Sequence, residues 1–223
     1  MHLLASKLSF TLLFLLGCTS FIGCDKNMET AVFDVGTYRL LQESIDAIPY
    51  ISKNGIVFVD ANQNETSFSL TESDITTSNG ARIYRYDVFE QGDTIRYNYI
   101  KEIKTFTAQN DDLNMTFEMR LEAQPYKLDP ASKAIADVLE IYLLNPENST
   151  LSLLLSHEIN TRDFPESFNN VRIEQKEILG ELFYNVYESD FGTLQSKIDF
   201  NPEFGILSFT DKEGSLWRLK EII

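Results

Sequence analysis

The sequence predicts a mainly β fold: an antiparallel meander folded as a sandwich or a partly open barrel, with at most one or two short helices. Three observations predict it. Large rings are abundant, 16 Phe and 10 Tyr against one Trp, and together with many Ile, Val and Thr they favour pleated surfaces. Apolar residues recur at alternate positions, most cleanly in Asn114-Met115-Thr116-Phe117-Glu118-Met119-Arg120-Leu121-Glu122. There Met115, Phe117, Met119 and Leu121 are expected to face a core and Thr116, Glu118, Arg120 and Glu122 to face water; a helix would scatter the four apolar side chains around its axis. Short turn-forming loops separate such runs: Glu90-Gln91-Gly92-Asp93, Asn145-Pro146-Glu147-Asn148, Asn201-Pro202-Glu203-Phe204-Gly205 and Asp211-Lys212-Glu213-Gly214. Their Pro and Gly set dihedrals that ordinary residues resist, and strands joined this way read as a meander.

In chain order, strands are expected at 36–42, 55–60, 66–71, 82–89, 94–107, 114–122, 139–144, 149–156, 171–178, 181–188, 194–200, 204–210 and 215–221. Two segments are candidates for helix. Residues 130–138 follow Asp129 and open with Pro130, a plausible cap and first helical position; residues 40–48 read as either strand or helix. So little helix disfavours parallel βαβ units. A closed barrel is the alternative architecture. An integral outer-membrane barrel is disfavoured, because the loops are short and the alternation leaves no lipid-facing band.

The N-terminus has a separate pattern. One positive side chain, Lys7, precedes the apolar run Leu8–Leu16, and small residues follow, the layout of an export signal. Extended to Ile22, the apolar part is about 15 residues and is interrupted by Gly17-Cys18-Thr19-Ser20, short of the roughly 20 residues of a membrane span. The two cysteines of the chain each follow a glycine, in Leu15-Leu16-Gly17-Cys18 and Phe21-Ile22-Gly23-Cys24. Both resemble the lipobox of bacterial lipoproteins, in which the Cys takes a diacylglyceryl group and becomes the first mature residue. Leu15 is the better match to the lipobox leucine, and Phe21 departs from it. Cys24 is nevertheless preferred and Cys18 is the alternative, because anchoring at Cys18 would leave Phe21 and Ile22 in the tether, whereas polarity begins abruptly at Asp25-Lys26-Asn27. The resulting division is a lipoprotein signal at 1–23, a tether at 24–32 and a single β-rich domain at 33–223. Two acyl chains give a stable membrane anchor, and residues 25–32 reach at most about 26–29 Å.

The apolar fraction of 43% is ordinary for a chain that packs a core. The formal charge of −15 becomes −16 once Lys7 leaves with the signal. Such acidity disfavours nucleic-acid backbones and gives no attraction to anionic lipid; its plainest role is solubility.

A hairpin at 82–100 is expected to place Phe89 opposite Thr94, Val88 opposite Ile95, Tyr86 opposite Tyr97 and Tyr84 opposite Tyr99, with Asp87 facing Arg96 and Ile83 facing Ile100 on the other side. Tyr84, Tyr86, Tyr97 and Tyr99 then form a ladder, either an inter-sheet face with its hydroxyls at the rim or an exposed platform for a sugar or other flat ligand. Nearby Arg82, Arg85 and Arg96 are candidate donors. Asp60-x-Asn62-x-Asn64 begins like a calcium loop, but Glu65 stands where Gly is needed and Thr71 where a bidentate Glu is needed, so a polar hairpin turn is expected. After the signal the chain keeps one histidine, His157, too few for a zinc site of two or three, and it reads as a surface residue at a strand end. No Gly-x-Ser-x-Gly elbow, P-loop or dinucleotide fingerprint is present. The acidic neighbours Glu72 and Asp74, Asp111 and Asp112, and Glu188 and Asp190 read as solvated turns; a glycosidase needs carboxylates facing across a cleft, which sequence proximity does not provide. No catalytic residue, metal ligand or cofactor site is assigned.

The C-terminal run LFYNVYESDFGTLQSKIDFNPEFGILSFTDKEGSLWRL is similar to a pattern shared by many uncharacterised Gram-negative lipoproteins: a Tyr-rich strand, a hairpin, a Gly-Ile-Leu-x-Phe strand and a last strand with Trp. That group carries no assigned activity. Ile198, Phe200, Ile206 (or Leu207 and Phe209), Trp217 and Leu219 are the core candidates there. The resemblance implies a lipid-anchored protein of the cell envelope, expected at the outer membrane, although Asp25 after the anchor signals inner-membrane retention in some lipoproteins. The leading expectation is a non-catalytic binding or structural role with a glycan, lipid or envelope-protein partner. The alternatives are a carrier of a lipid or other apolar molecule, resembling the half-barrel lipoprotein-localisation factors in shape only, and a glycan-directed enzyme. A packed interior would exclude the carrier.

Overall fold

The computed structural model describes residues 30–86, 93–125, 135–145, 149–159, 170–189 and 197–223. The chain falls into two compact units, Met1–Val32 with Ile83–Arg96, and Phe33–Arg82 with Tyr97–Ile223. The described part of the smaller unit is strand backbone; everything below concerns the larger.

The expected β class holds. Among the described residues the strands are β1 (Thr30–Tyr38), β2 (Gly55–Val59), β3 (Glu65–Glu72), β4 (Thr76–Tyr86), β5 (Asp93–Asn110), β6 (Met115–Pro125), β7 (Ile135–Asn145), β8 (Thr150–Glu158), β9 (Asn170–Ile178), β10 (Glu181–Ser189), β11 (Ile198–Asn201), β12 (Gly205–Thr210) and β13 (Leu216–Ile222), and one short helix, α1, spans Gln42–Asp46. They form one curled half-barrel sheet in the order β8-β7-β6-β5-β3-β2-β13-β12-β11-β10-β9, with β1 and β4 paired to β5 outside that path. Neighbouring strands along the path pair antiparallel. The order is a meander whose last strand, β13, returns to β2. Its two ends, β8 and β9, are consecutive in the chain, so the seam of the half-barrel lies between them.

β1 is the exception to the antiparallel rule. Phe33 stacks on Tyr97, Asn98 Nδ2 donates to Asp34 Oδ1 at 3.3 Å, and Leu40 N donates to Glu102 Oε2 at 3.0 Å. Numbers rise together on both chains, so β1 runs parallel to β5. The strand lies earlier than the expected 36–42, and the 40–48 segment resolves into α1 and its flanks.

The alternation in β6 holds on its inner face: Met115, Phe117, Met119 and Leu121 are buried. On its outer face Glu122 departs from expectation. It is buried because Lys101 forms an ion pair with it and Gln124 Nε2 donates to it at 3.2 Å. The expected helix at 130–138 is corrected from Ile135 onward, where β7 begins; residues 126–134 lie outside the described residues. Ala136 and Val138 are buried, and β7 pairs with β6 from Ile135 opposite Pro125. From Ile135 onward, ladder pairing and burial decide for strand.

The core is a cluster of rings. Phe58, Phe68, Phe117 and Phe209 pack with neighbouring centroids 4.9–5.6 Å apart, mostly edge to face, the arrangement their quadrupoles favour. The α1 segment fills the rest: Leu40, Ile45, Ile48 and Tyr50 all join this cluster. Tyr50 packs on Phe106 and accepts a hydrogen bond from Ile206 N at 2.6 Å. Gly205, at φ +75°, lies directly under the Tyr50 ring, where any Cβ would overlap it. All the C-terminal core candidates, Ile198, Phe200, Ile206, Leu207, Phe209, Trp217 and Leu219, are buried. The choice between Ile206 and Leu207 with Phe209 dissolves because β12 is covered on both faces.

Candidate functional site

Among the described residues, three places bring chemistry-bearing side chains together. The first is the outer face of the β1–β5 pair. β5 is eighteen residues long, and β6 pairs with it only from Ile103 onward. The part of β5 before Ile103 is therefore free to take β1 alongside. Tyr97 and Tyr99 share one face by the two-residue period. The Phe33 and Tyr97 rings stack at 5.5 Å and 20°, and Tyr38 meets Tyr99 at 5.4 Å. Phe33 and Tyr38 differ in parity. Gly36, at φ +95°, breaks the alternation between them and brings Tyr38 back to the face of Phe33, a backbone region open to glycine. Tyr99 also lies over Gly80 of β4, where a Cβ would overlap its ring. Phe33 and Val35 are exposed, while the three tyrosines are half-buried. The charged side chain of β1, Asp34, bonds to Asn98 on the opposite face.

Of the expected ladder, Tyr97 and Tyr99 thus stand on one face. Tyr84 and Tyr86 fall on β4, but their side chains, and the pairings drawn through them and through Asp87, Val88 and Phe89, lie outside the described residues. Phe33 and Val35 escape a sequence reading in which 24–32 is tether and the next strand begins at 36. The signal is present in Thr30-Ala31-Val32-Phe33-Asp34-Val35, a β-prone run with one charge.

The second place is a half-open cleft of about 160 Å³ beside the β9–β10 hairpin, lined by Lys176, Ile178, Leu179, Asp199, Ser208 and Leu216 among others. Lys176 Nζ donates to Glu188 at 2.5 Å and to Asp199 at 2.7 Å, and Ser208 Oγ donates to the other Asp199 oxygen at 2.6 Å. Burial alone would lower the Lys176 pKa, but the bonds to Asp199 and Glu188 outweigh it and hold the pKa above its ordinary value. A charged ammonium cannot serve as the base of a Ser-Lys pair, and Ser208 is buried. The cluster ties neighbouring strands together. Nothing local in the sequence announces it, since each member comes from a different strand.

The third place is the seam. His157, expected at the surface, lies instead against Tyr187 at 4.5 Å and Phe200 at 5.7 Å. It pairs across the ladder with the buried Leu139, so it points inward. Burial pushes its pKa down to about 4, and the ring is neutral near pH 7.

Among the described residues other acidic groups form turns and ion pairs, while Asp137 is buried on β7 and accepts from Leu41 N at 3.0 Å. Asp60 accepts from Asn62 N, Asn64 N and Asn64 Nδ2, each at 2.8 Å; the bond from the Asn64 side chain leads in holding its pKa low. It is the expected hairpin turn. Asp211 similarly caps its turn and accepts from Trp217 Nε1 at 2.8 Å. Glu72 pairs with Lys104 at 2.5 Å, and that bond chiefly holds its pKa below the usual range. Among the described residues no group of three or more His, Cys, Asp or Glu is placed to hold a metal ion. No helix among them is long and apolar enough to cross a membrane, which says nothing of strands. No family model, curated protein or solved structure matches this chain.

Proposed function

We propose that this chain is a lipid-anchored protein of the bacterial cell envelope, held by Cys24, with a non-catalytic role in which its outer surface meets a glycan, a lipid or another envelope protein. One observation carries the non-catalytic, outer-surface reading: the concave side of the half-barrel is occupied by the chain's own side chains. Among the described residues Tyr50, Phe58, Phe68, Phe106, Phe117 and Phe209 are all at most 1% exposed, and side chains packed this way speak against a carried acyl chain. The cleft at Lys176 supports no catalytic reading, because its carboxylates Glu188 and Asp199 share one ammonium rather than facing a substrate across a gap. The seam between β8 and β9, packed through His157 against Tyr187 and Phe200, is the feature that favours the carrier alternative, since parting it would give access to the interior.

Intact-mass and native mass spectrometry of the full chain, made in a Gram-negative host and extracted in detergent, tests both parts. The expected product starts at Cys24 with covalent diacylglycerol and acyl groups, carries no further lipid, and loses its anchor in Cys24→Ala. A product without covalent lipid overturns the anchor. A stoichiometric non-covalent lipid overturns the filled interior and installs the carrier.

A further inference from the structure

The aromatic face of the β1–β5 pair meets the core cluster through Tyr38, and four observations bear on what the rest of it meets. It is apolar where the fold does not need it to be: Phe33 is 50% exposed and Val35 is 39% exposed. The single charge of β1, Asp34, is turned to the other face and bonded to Asn98. The half-buried rings beside it, Tyr38, Tyr97 and Tyr99, have an apolar body and a polar tip, the side-chain type that collects at membrane–water interfaces. Finally, Phe33 is nine residues from Cys24, a reach of at most about 30 Å.

From these we infer that the outer face of the β1–β5 pair, centred on Phe33 and Val35 and flanked by Tyr38, Tyr97 and Tyr99, is a lipid-contacting face that rests on the bilayer surface holding the anchor. The inference rests on the anchored reading above and adds an orientation to it. The tether keeps this face at high effective concentration beside the membrane, so a small apolar area suffices. A second copy of the chain is the weaker occupant. Two exposed and three half-buried side chains offer roughly a few hundred Å², against about 800 Å² per partner in a stable interface. The neutral character of the strip also suits a chain whose net charge of −15 gives no electrostatic pull toward anionic headgroups.

The test places a nitroxide label at Val35→Cys in the full lipidated chain, reconstituted in vesicles of phosphatidylethanolamine with a minority of phosphatidylglycerol. Tyr184→Cys, on β10 and also open to a label, is the control. Both positions are exposed, so the fold tolerates the probe. Collision of each label with oxygen, which concentrates in lipid, is compared with collision with a water-soluble nickel complex. The expected result is a several-fold higher oxygen-to-nickel ratio at Val35 than at Tyr184, abolished when Phe33→Asp is added. Equal, water-like ratios at the two positions overturn the inference. Spin–spin broadening confined to Val35 overturns it in favour of a second copy. The intact mass of the same sample shows whether Cys24 carries lipid, so failure of the anchor is read separately. If the lipid is absent, the label is measured on the unlipidated chain with Cys18→Ala and Cys24→Ala, so that position 35 holds the one thiol, mixed with the same vesicles. A high ratio at Val35 then still supports the face, and a water-like ratio overturns it.

Discussion

Two clusters of aromatic rings divide the molecule. One, Phe58, Phe68, Phe117 and Phe209, is sealed inside the half-barrel with no ring more than 1% exposed. The other, Phe33 with Tyr38, Tyr97 and Tyr99, is stacked just as regularly but stands half in water. Similar rings at similar spacings therefore do different work. The inner set is bound to stability, since its rings come from β2, β3, β6 and β12 and hold those strands together. The outer set is built on β1 and β5, and its outermost ring, Phe33, stands apart from the core.

Substitution at equivalent rings breaks or sharpens that contrast. Phe209→Ala empties the centre of the inner cluster, and its cost is expected at about 3–5 kcal/mol, read as a drop in the urea midpoint. A cost under about 1 kcal/mol would mean that the interior is loosely filled, and the filled-cavity argument for a non-carrier would go with it.

The seam supplies the next effect. His157 has a pKa near 4 in the fold against 6.5 when free, with burial as the cause. Between those values the unfolded chain holds the extra proton, so stability rises with pH across the window and is lost as pH falls from 6.5 toward 4. The full contribution is about 3 kcal/mol; above pH 6.5 this group adds no slope. His157→Phe keeps a ring against Tyr187 and Phe200 and is expected to flatten the pH dependence of the urea midpoint in that window. An unchanged slope would show that the imidazole is solvated and that the seam stands open.

Much of the fold is legible in the sequence, for a physical reason. The period of two fixes which side of a strand is buried, so the pattern alone places Met115 to Leu121 and the closing strands from Ile198 to Leu219 inward. Turn chemistry fixes the Asp60 loop for the same local reason. What the pattern misses is set by distant partners. Residues 135–138 fall in the helix expected from the Asp129-Pro130 signal but pair with β6. Glu122 breaks the alternation because Lys101 reaches it from β5. His157 is a strand-end residue by sequence, and only the curl of the sheet brings β10 and β11 against it. The aromatic face is half legible: Tyr97 and Tyr99 follow from their own spacing, whereas Phe33 joins them through a parallel pairing across more than sixty residues, which no local pattern encodes.

Tyr50 lies between the two clusters in character, a ring of the core with a polar tip. Tyr50→Phe leaves the ring on Phe106 but strips Ile206 N of its acceptor, a buried donor that then costs about 1–3 kcal/mol. Chemical denaturation checks it. A neutral result would mean that water replaces the hydroxyl, and so that the α1 segment does not seal the interior.

The smallest effect on stability is the most informative about the outer cluster. Phe33→Ser removes an exposed ring, so the urea midpoint is expected to move by less than about 0.5 kcal/mol, measured beside Phe209→Ala under the same conditions. The two margins of the sheet explain why this near-neutrality matters. β9, at one end of the strand order, carries the exposed Arg172, Glu174 and Glu177, charges with which an edge resists pairing. β1 pairs with β5 off the main strand path and carries Asp34 as its one charge. A chain that guards one margin with charge and leaves apolar rings on another has no stability reason for the second. If Phe33→Ser costs as much as a core substitution, the outer rings belong to the fold and need no partner. If it costs almost nothing, the apolar face of β1 is explained by what it meets outside the chain.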